Sequence, residues 1–433
     1  MAIQSLFVIL AVLLVLLFLG VPISYSIAIS SLTAILSSID LNVAVLTAAQ
    51  RTFVGMSKFS LTAIPFFILA GNIMNQGGIA KRLVDFVMAI LGKLPGALLV
   101  TNIGTNALFG AISGSASAAA AAVGSMIRDG AEEQGYDPAV TAATNAASSC
   151  SGLLIPPSNA LITFSLASGG TSVAALFMAG YVPGIIWALC CCVVGVLLAI
   201  KLDYKGTPGK FDWKNLGVCT LRALPSLSLI IVVIGGIIGG VFSATEGSAI
   251  AVVYSLILAI CYRSIDLKGL WKIIVDSAKM SGMVVFLVGV SNILGWVMAF
   301  LQIPDAVAAA LLSLTSNKYV ILLIMNVILL VSGTFMDVTP AILIFTPLFL
   351  PICQSFGMST IQFGLILVYN LCIGNITPPV GNALFVGIKV GRTSLSKIMP
   401  YMLMYYVAII GGLLLVTFVP AVSTFLPQAM GLM

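Results

Sequence analysis

No histidine occurs among the 433 residues, and charged side chains make up only 7% of them. Without imidazole, the commonest proton shuttle and metal ligand is missing, and a Ser/His catalytic pair is impossible. A soluble domain carries about 25% charged residues. A chain that is 60% hydrophobic with a mean hydropathy of +1.19 is therefore an integral membrane protein. Alternation broken by turns every ~10 residues is also missing, which disfavours an outer-membrane barrel. The eight cysteines, Cys190-Cys191-Cys192 among them, show no metal-type spacing and suit small apolar filler. There is no GxxxxGK[ST] phosphate loop. The first twenty residues lack Lys, Arg and a small-x-small cleavage site, so they read as a retained first span.

What charge there is falls in places that matter. Four clusters, at 81–93, 201–222, 263–279 and 389–397, hold with Arg128 16 of the 19 Lys and Arg residues. Only Arg51, Lys58 and Lys318 lie elsewhere. The net charge of +6 thus reports topology rather than a nucleic-acid partner. The positive-inside rule puts the clusters in the cytoplasm and the other three residues on the far side.

Apolar runs at 3–20, 24–39, 59–76, 139–168 and 173–200 read as five crossings in the first half. An interfacial segment at 42–56 and a short basic segment at 79–92 lie between them. The second half repeats this plan about 220 residues later. Spans at 224–241 and 244–262 are followed by an interfacial helix near 266–281, then by spans at 283–301, 360–388 and 400–420. Gly20-Val21 matches Gly240-Val241, 77–93 matches 301–318, and Gly169-Gly170-Thr171-Ser172 matches Gly391-Arg392-Thr393-Ser394. Five crossings is an odd number, so the second half runs inverted and both termini are periplasmic.

Each half also contains two arms too short to cross. They meet at Ser113-Gly114-Ser115 and at Ser332-Gly333-Thr334, and read as re-entrant hairpins. Each half then has a span broken by a proline pair, LLIPPSNAL at 153–161 and ITPPVGNAL at 376–384. A proline pair removes two amide donors where lipid cannot replace the lost bonds. The expected fold is an all-α polytopic membrane protein of two inverted repeats, each with a re-entrant hairpin and a Pro-Pro-broken helix. Its segments are scaffold spans with an arm helix (1–95), the first hairpin and broken helix (96–170), and a span with a cytoplasmic hinge loop (171–223). The second half follows as scaffold spans and arm (224–318), hairpin and broken helix (319–392), and the last span (393–433).

Inverted repeats with helices broken at membrane depth are the pattern of secondary transporters, with cargo bound at the breaks. Carbonyls at a helix stop and nearby hydroxyls suit a hard cation such as Na⁺, while the helix that restarts offers amides to an anion. One expected ion site is Ser113, Ser115, Gly152, Ile155 and Pro157. The other is Gly333, Thr334, Gly374, Thr377 and Pro379. Ser158, Asn159, Asp337 and Asn382 are the candidate substrate contacts. Asp337, an acid in an otherwise uncharged hairpin, is functional by default, with capping of the returning helix as its alternative. Glu246 reads as the first-turn acid of a helix.

SGSASA, YDP…LLIPPSN, SATEGSA and SGTFMD…NITPPVGNAL, spread over essentially the whole chain, resemble the large membrane subunit of tripartite ATP-independent periplasmic (TRAP) transporters. The resemblance implies a Na⁺-driven importer in a bacterial inner membrane, using two or more coupling ions and no organic cofactor. Its implied partners are a separate small four-helix membrane subunit and a soluble periplasmic substrate-binding protein. Its implied mechanism is an elevator, with the hairpins and broken helices moving against the remaining spans as scaffold. Family substrates are small carboxylates, sialic acid being the first expectation and C4-dicarboxylates the second.

Other classes fit less well. An intramembrane aspartyl protease needs a second acid facing Asp337, and none is evident. A stand-alone ion-coupled anion transporter or a channel could use similar hairpins, but an inverted repeat within one chain favours alternating access over a pore.

Overall fold

The computed structural model describes residues 2–206, 212–315 and 317–433. Part of the expected hinge loop, 207–211 with Lys210, lies outside the described residues. Among the described residues there are helices and no strand.

The chain opens with α1 (Ala2–Phe18) and α2 (Ile23–Ile35), an apolar pair packed on each other. Next come α3 (Leu41–Met56) and α4 (Ala63–Gln76), joined by a single 3-10 turn and bent by 59°. The bend matches the expected interfacial segment followed by a span. α5 (Ile79–Leu91) follows, then the first hairpin, α6 (Ala97–Ser113) and α7 (Ala116–Glu133). Gly114 turns the hairpin with φ at +61°, a left-handed conformation open to glycine. Ser115 caps α7 by accepting the Ala118 amide at 3.3 Å.

The first broken helix is α8 (Pro138–Ser149) with the short α9 (Ser151–Leu154), then α10 (Asn159–Ala167) turned by 47° past Pro156-Pro157. α11 (Val173–Lys201) returns across the molecule.

The second half runs through the same succession. α12 (Trp213–Ile238) and α13 (Ala244–Cys261) are its first pair. Glu246 completes a capping box on α13, taking the Ser243 amide at 2.7 Å while its own amide reaches Ser243 Oγ at 3.2 Å. Then come α14 (Leu267–Phe300) and α15 (Ile303–Leu314). α15 starts after Gln302 in the left-handed region, as α5 starts after Gly78. The second hairpin is α16 (Lys318–Phe335) and α17 (Val338–Ser355). The second broken helix is α18 (Thr360–Asn375) and α19 (Asn382–Val390), and α20 (Leu395–Phe418) and α21 (Ala421–Ala429) end the chain.

Two expectations are corrected. The separate interfacial helix near 266–281 does not exist, because α14 is one helix of 34 residues through Ser281-Gly282-Met283. A lone glycine costs a helix only about 1 kcal/mol, whereas the first half places a non-helical turn at Ser57-Lys58. The tip of the second hairpin is not Ser332-Gly333-Thr334, which are helical in α16, but Met336-Asp337. Both α11 and α20 pack on the first broken helix. Trp187 of α11 donates to the Ala147 carbonyl of α8 at 2.9 Å, and Tyr405 of α20 meets Thr144 of α8 at 2.7 Å.

The basic clusters meet at one end. Arg128 donates to the Val390 carbonyl, and Arg82 lies over the Tyr262 ring beside Arg263. Tyr204 accepts the Asp137 amide, and the Tyr401 hydroxyl reaches the same aspartate. α8 therefore starts at the basic end, whereas α19 finishes there.

Candidate functional site

The two hairpins are seated on the two breaks through glycine. At Gly110 an added Cβ would sit 2.6 Å from Gly152 Cα, and at Gly333 one would sit 3.2 Å from Gly374 Cα. Small residues let helix backbones meet in this way. These contacts also set the register between the halves. They pair Gly110 with Gly333, and the turns that follow these glycines are Gly114-Ser115 and Met336-Asp337. Ser115 and Asp337 stand at the N-caps of α7 and α17. Ser115 accepts an amide there, but the Asp337 side chain makes no cap hydrogen bond. The capping alternative for Asp337 is thus not what its side chain does.

Around the first break, Asn159 Nδ2 donates to the Gly114 carbonyl at 3.4 Å, tying tip to break. Ser113 Oγ turns back to the Ser115 carbonyl at 3.4 Å, and Ser115 Oγ lies 3.2 Å from Ser117 Oγ. Ser158 is buried as the N-cap of α10, and its hydroxyl donates to the Leu153 carbonyl. That hydroxyl holds the break together and is not among the groups lining the cavity below. The Ile155 side chain points the other way, against Gly184 of α11.

Around the second break, the Val380 amide donates to the Thr334 carbonyl at 3.1 Å. The Thr377 amide reaches the Gly374 carbonyl at 2.9 Å. Both threonine hydroxyls are committed to their own chain segments, Thr334 to Val331 at 2.8 Å and Thr377 to Ile373 at 2.6 Å. Here the backbone, not the hydroxyl, joins hairpin to break. Tyr406 of α20 donates to the Ile376 carbonyl at 2.6 Å and so takes one oxygen of the break.

A cavity of about 530 Å³ opens where these parts converge. It is lined by Gly114 and Ser115 of one tip, Asp337 of the other, and Asn159 and Asn382 at the starts of α10 and α19. Ile64 and Ile68 of α4 with Met280 and Val284 of α14 close the opposite wall. Asn159 Oδ1 is buried with no hydrogen-bond partner and belongs to this lining. An unpartnered buried oxygen is costly unless something fills the role. Lys389 and Asp337 are the charged residues of the lining, one basic and one acidic. Of the expected substrate contacts, Asn159, Asp337 and Asn382 share this cavity and Ser158 does not. Of the ion-site residues, Ser115 reaches it, while Gly152 and Gly374 lie in the hairpin seats and Pro157 and Pro379 are not among its lining.

Sequence reasoning passed over a set of buried amides. Asn106 of α6 donates to Asn102 Oδ1 at 2.7 Å, Asn145 Oδ1 at 3.0 Å and Ser148 Oγ at 2.8 Å. In the other half, Asn370 of α18 donates to Asn326 Oδ1 of α16 at 2.8 Å, and Asn326 donates to Thr417 Oγ1 at 3.0 Å. Each set pins a hairpin's first arm to a broken helix. The signal was present as asparagines inside apolar runs, where a polar side chain needs a partner.

Comparisons with known proteins follow this arrangement. The family described as "Tripartite ATP-independent periplasmic transporter, DctM component" matches residues 10–422. An uncharacterized protein of Salmonella typhimurium, YgiK, is 49% identical over 408 residues, 94% of each chain. The isethionate TRAP transporter permease protein DctMQ of Oleidesulfovibrio alaskensis is 36% identical over 94% of this chain and 64% of its own length. The C4-dicarboxylate TRAP transporter large permease protein DctM of Rhodobacter capsulatus is 32% identical, covering 99% of this chain and all of its own. The crystal structure of the Alcanivorax borkumensis YdaH transporter, described as having an unusual topology, superposes with a TM-score of 0.63 at 16% identity. It covers 88% of this chain and 89% of that one, a likeness of fold alone.

Proposed function

The chain belongs to the DctM component family of tripartite ATP-independent periplasmic transporters, and from that premise we propose that it is the Na⁺-coupled large permease subunit of an importer for small organic anions. One observation carries the reading. Both hairpin tips and both restarting helices line a single cavity, whose other wall belongs to α4 and α14. At about 530 Å³ it lies within the usual range for small-molecule sites. The restarting ends of α10 and α19 and the Lys389 ammonium favour an anion, and Asp337 discriminates by repelling misplaced negative charge.

In this reading the coupling Na⁺ ions bind at the hairpin seats, held by oxygens of Ser113, Ser115, Gly152, Ile155 and Pro157 and of Gly333, Thr334, Gly374, Thr377 and Pro379. The backbone carbonyls do most of this, because the threonine hydroxyls are spent on their own helices. The body of hairpins, broken helices, α11 and α20 moves as one against α1–α4 and α12–α14, which is an elevator. The two halves act as inverted repeats, and each break faces water in turn. The family's tripartite organisation supports a separate small membrane subunit and a periplasmic binding protein as partners. It also supports residence in the inner membrane, while the split of Lys and Arg along the chain is what supports placing both termini in the periplasm. Sialic acid is the first substrate to try and a C4-dicarboxylate the second, since the names of relatives include both, and isethionate besides.

Uptake into proteoliposomes containing this chain and its small subunit tests the proposal. Labelled substrate delivered by the binding protein should accumulate only with an inward Na⁺ gradient. Accumulation by this chain alone, driven by a proton gradient, would refute it.

A further inference from the structure

Arg51 in α3 and Lys58 just beyond it have no part in the central cavity or the hairpin seats. They stand outside the basic clusters, yet they share a concave space. A second cavity of about 360 Å³ is lined by Arg51, Lys58, Ser291 and Trp296 of α14, Leu166 of α10 and Pro347 of α17. Among the described residues that line it, none is acidic. Two cations facing a concavity with apolar walls and no carboxylate concentrate positive potential there. The Arg51 guanidinium lies over the Trp296 ring, 5.8 Å from its centroid. This contact anchors the guanidinium beside the indole, and a guanidinium so placed suits a bidentate acceptor such as a carboxylate.

The position of this cavity gives it a partner. α10 begins in the central cavity at Asn159 and ends here at Leu166 and Ala167. On α14, Met280 and Val284 line the central cavity, while Val288, Ser291 and Gly295 line this one. Steps of three and four residues make these five a single helix stripe. Met280 and Gly295 are about 22 Å apart along it at 1.5 Å per residue. Both cavities therefore lie on one seam between the hairpin body and α14. This one is at the end of the first broken helix remote from Asp137 and the basic clusters.

We propose that Arg51 and Lys58 form a second anion-binding site, which takes the carboxylate of the transported solute at the outer end of this seam. The identity of the anion rests on the transporter reading, whereas the preference of the cavity for negative charge does not. Arg51 supplies the oriented contact and Lys58 the added field. The central cavity has its own polar groups on the hairpin body, and this site has its cations on α3 and the loop after it. A solute can thus be held before the body presents its tips.

The test separates the two readings. Ala299 lines the cavity and is exposed, and Ala299→Cys provides a reporter thiol. The permease with its small subunit, in proteoliposomes, is treated with methanethiosulfonate reagents carrying either a sulfonate or a trimethylammonium group. Rates are normalised to those with a free thiol in solution, and the native-cysteine background is subtracted. The anionic reagent should react at least about fivefold faster than the cationic one, since two cations act in the same direction on each probe. Arg51→Gln with Lys58→Gln should abolish that preference, and the transported anion should slow the reaction only when Arg51 is present. Equal rates for both reagents, or a preference that survives the double substitution, would overturn the site. In uptake assays, Arg51→Gln should raise the half-saturating anion concentration about fivefold or more with little change in maximal rate. If Arg51→Gln weakens only delivery by the binding protein and leaves the labelling preference intact, Arg51 is a protein-docking residue and the proposal falls. If the preference is present but no preparation transports solute, the site stands and the importer reading fails.

Discussion

Cys372 and Cys150 touch across the centre of the molecule, the Cys372 thiol donating to the Cys150 carbonyl at 3.9 Å. They are 222 positions apart, and each precedes by two residues the glycine that seats a hairpin, Gly374 or Gly152. Corresponding points of the two broken helices thus face each other. Asn375 strengthens the crossing by reaching the Cys150 sulfur at 3.9 Å. The outer contacts are reciprocal as well, since α7 packs on α19 and α17 packs on α10. Each hairpin rests its first arm on its own broken helix and its second arm on both.

The glycine seats should be the least tolerant positions in the fold. Gly110→Ala puts a methyl 2.6 Å from Gly152 Cα, and backbone cannot swing aside as a side chain can. A loss of about 1–3 kcal/mol is expected, read as a lowered Tm of the purified protein. Gly333→Ala, with 3.2 Å to Gly374 Cα, should cost less. Gly411→Ala in α20 meets nothing within 4 Å and should be neutral or stabilising by up to about 1 kcal/mol.

The buried amides give a second stability test. Asn106→Leu removes a donor shared by Asn102, Asn145 and Ser148, and should cost about 1–3 kcal/mol. Asn370→Leu strips one partner from Asn326 and should cost less. Thermal denaturation of both variants checks the order, and equal losses would show that the two networks do not differ as their bond counts suggest.

Sodium dependence examines the hairpin seats. Ser115→Leu places bulk at the tip beside Asn159, and should raise the Na⁺ concentration for half-maximal uptake about tenfold, the equivalent of 1.4 kcal/mol. Thr377→Leu should do the same at the other seat. Thr377→Val keeps the shape and loses only a hydroxyl that bonds Ile373, so its effect should be smaller. Unaltered sodium curves for both leucine variants would remove these residues from the ion sites.

Tyr406 ties a span to the second break. Tyr406→Phe releases the Ile376 carbonyl, with an expected stability loss of about 1 kcal/mol. It also frees an oxygen beside the ion seat, so the half-maximal Na⁺ concentration should move while that of a control variant, Gly411→Ala, stays put. Uptake measured across a sodium series decides this.

Much of this architecture is written locally and could be read from the chain. Pro156-Pro157, Pro378-Pro379 and Ser113-Gly114-Ser115 stop helices by short-range chemistry, so the breaks and the first tip stand where composition puts them. The second tip was misplaced because it turns at Met336-Asp337, without glycine, while the conspicuous Ser332-Gly333-Thr334 serves as a packing surface. The glycine there marks close approach to Gly374, which no local rule distinguishes from a turn. The packing of α11 and α20 on α8 was equally hidden. It depends on where Trp187 and Tyr405 find partners on α8, a matter of tertiary packing that hydropathy does not record. Asp337, Asn159 and Asn382 were legible as candidates through their motifs, but their meeting in one cavity was not.

The unbroken α14 has no equal in the first half, where α3 and α4 are bent by 59°. At 1.5 Å per residue its 34 residues measure about 51 Å, well beyond a hydrocarbon core of about 30 Å. Lys268, Lys272 and Lys279 occupy its first half, and Trp296 stands near its other end. Such a helix is a graduated staff planted through the bilayer. Its two cavities are two marks on that staff, about 22 Å apart, so under the proposed elevator the depth of whatever slides along the seam would be read off against α14.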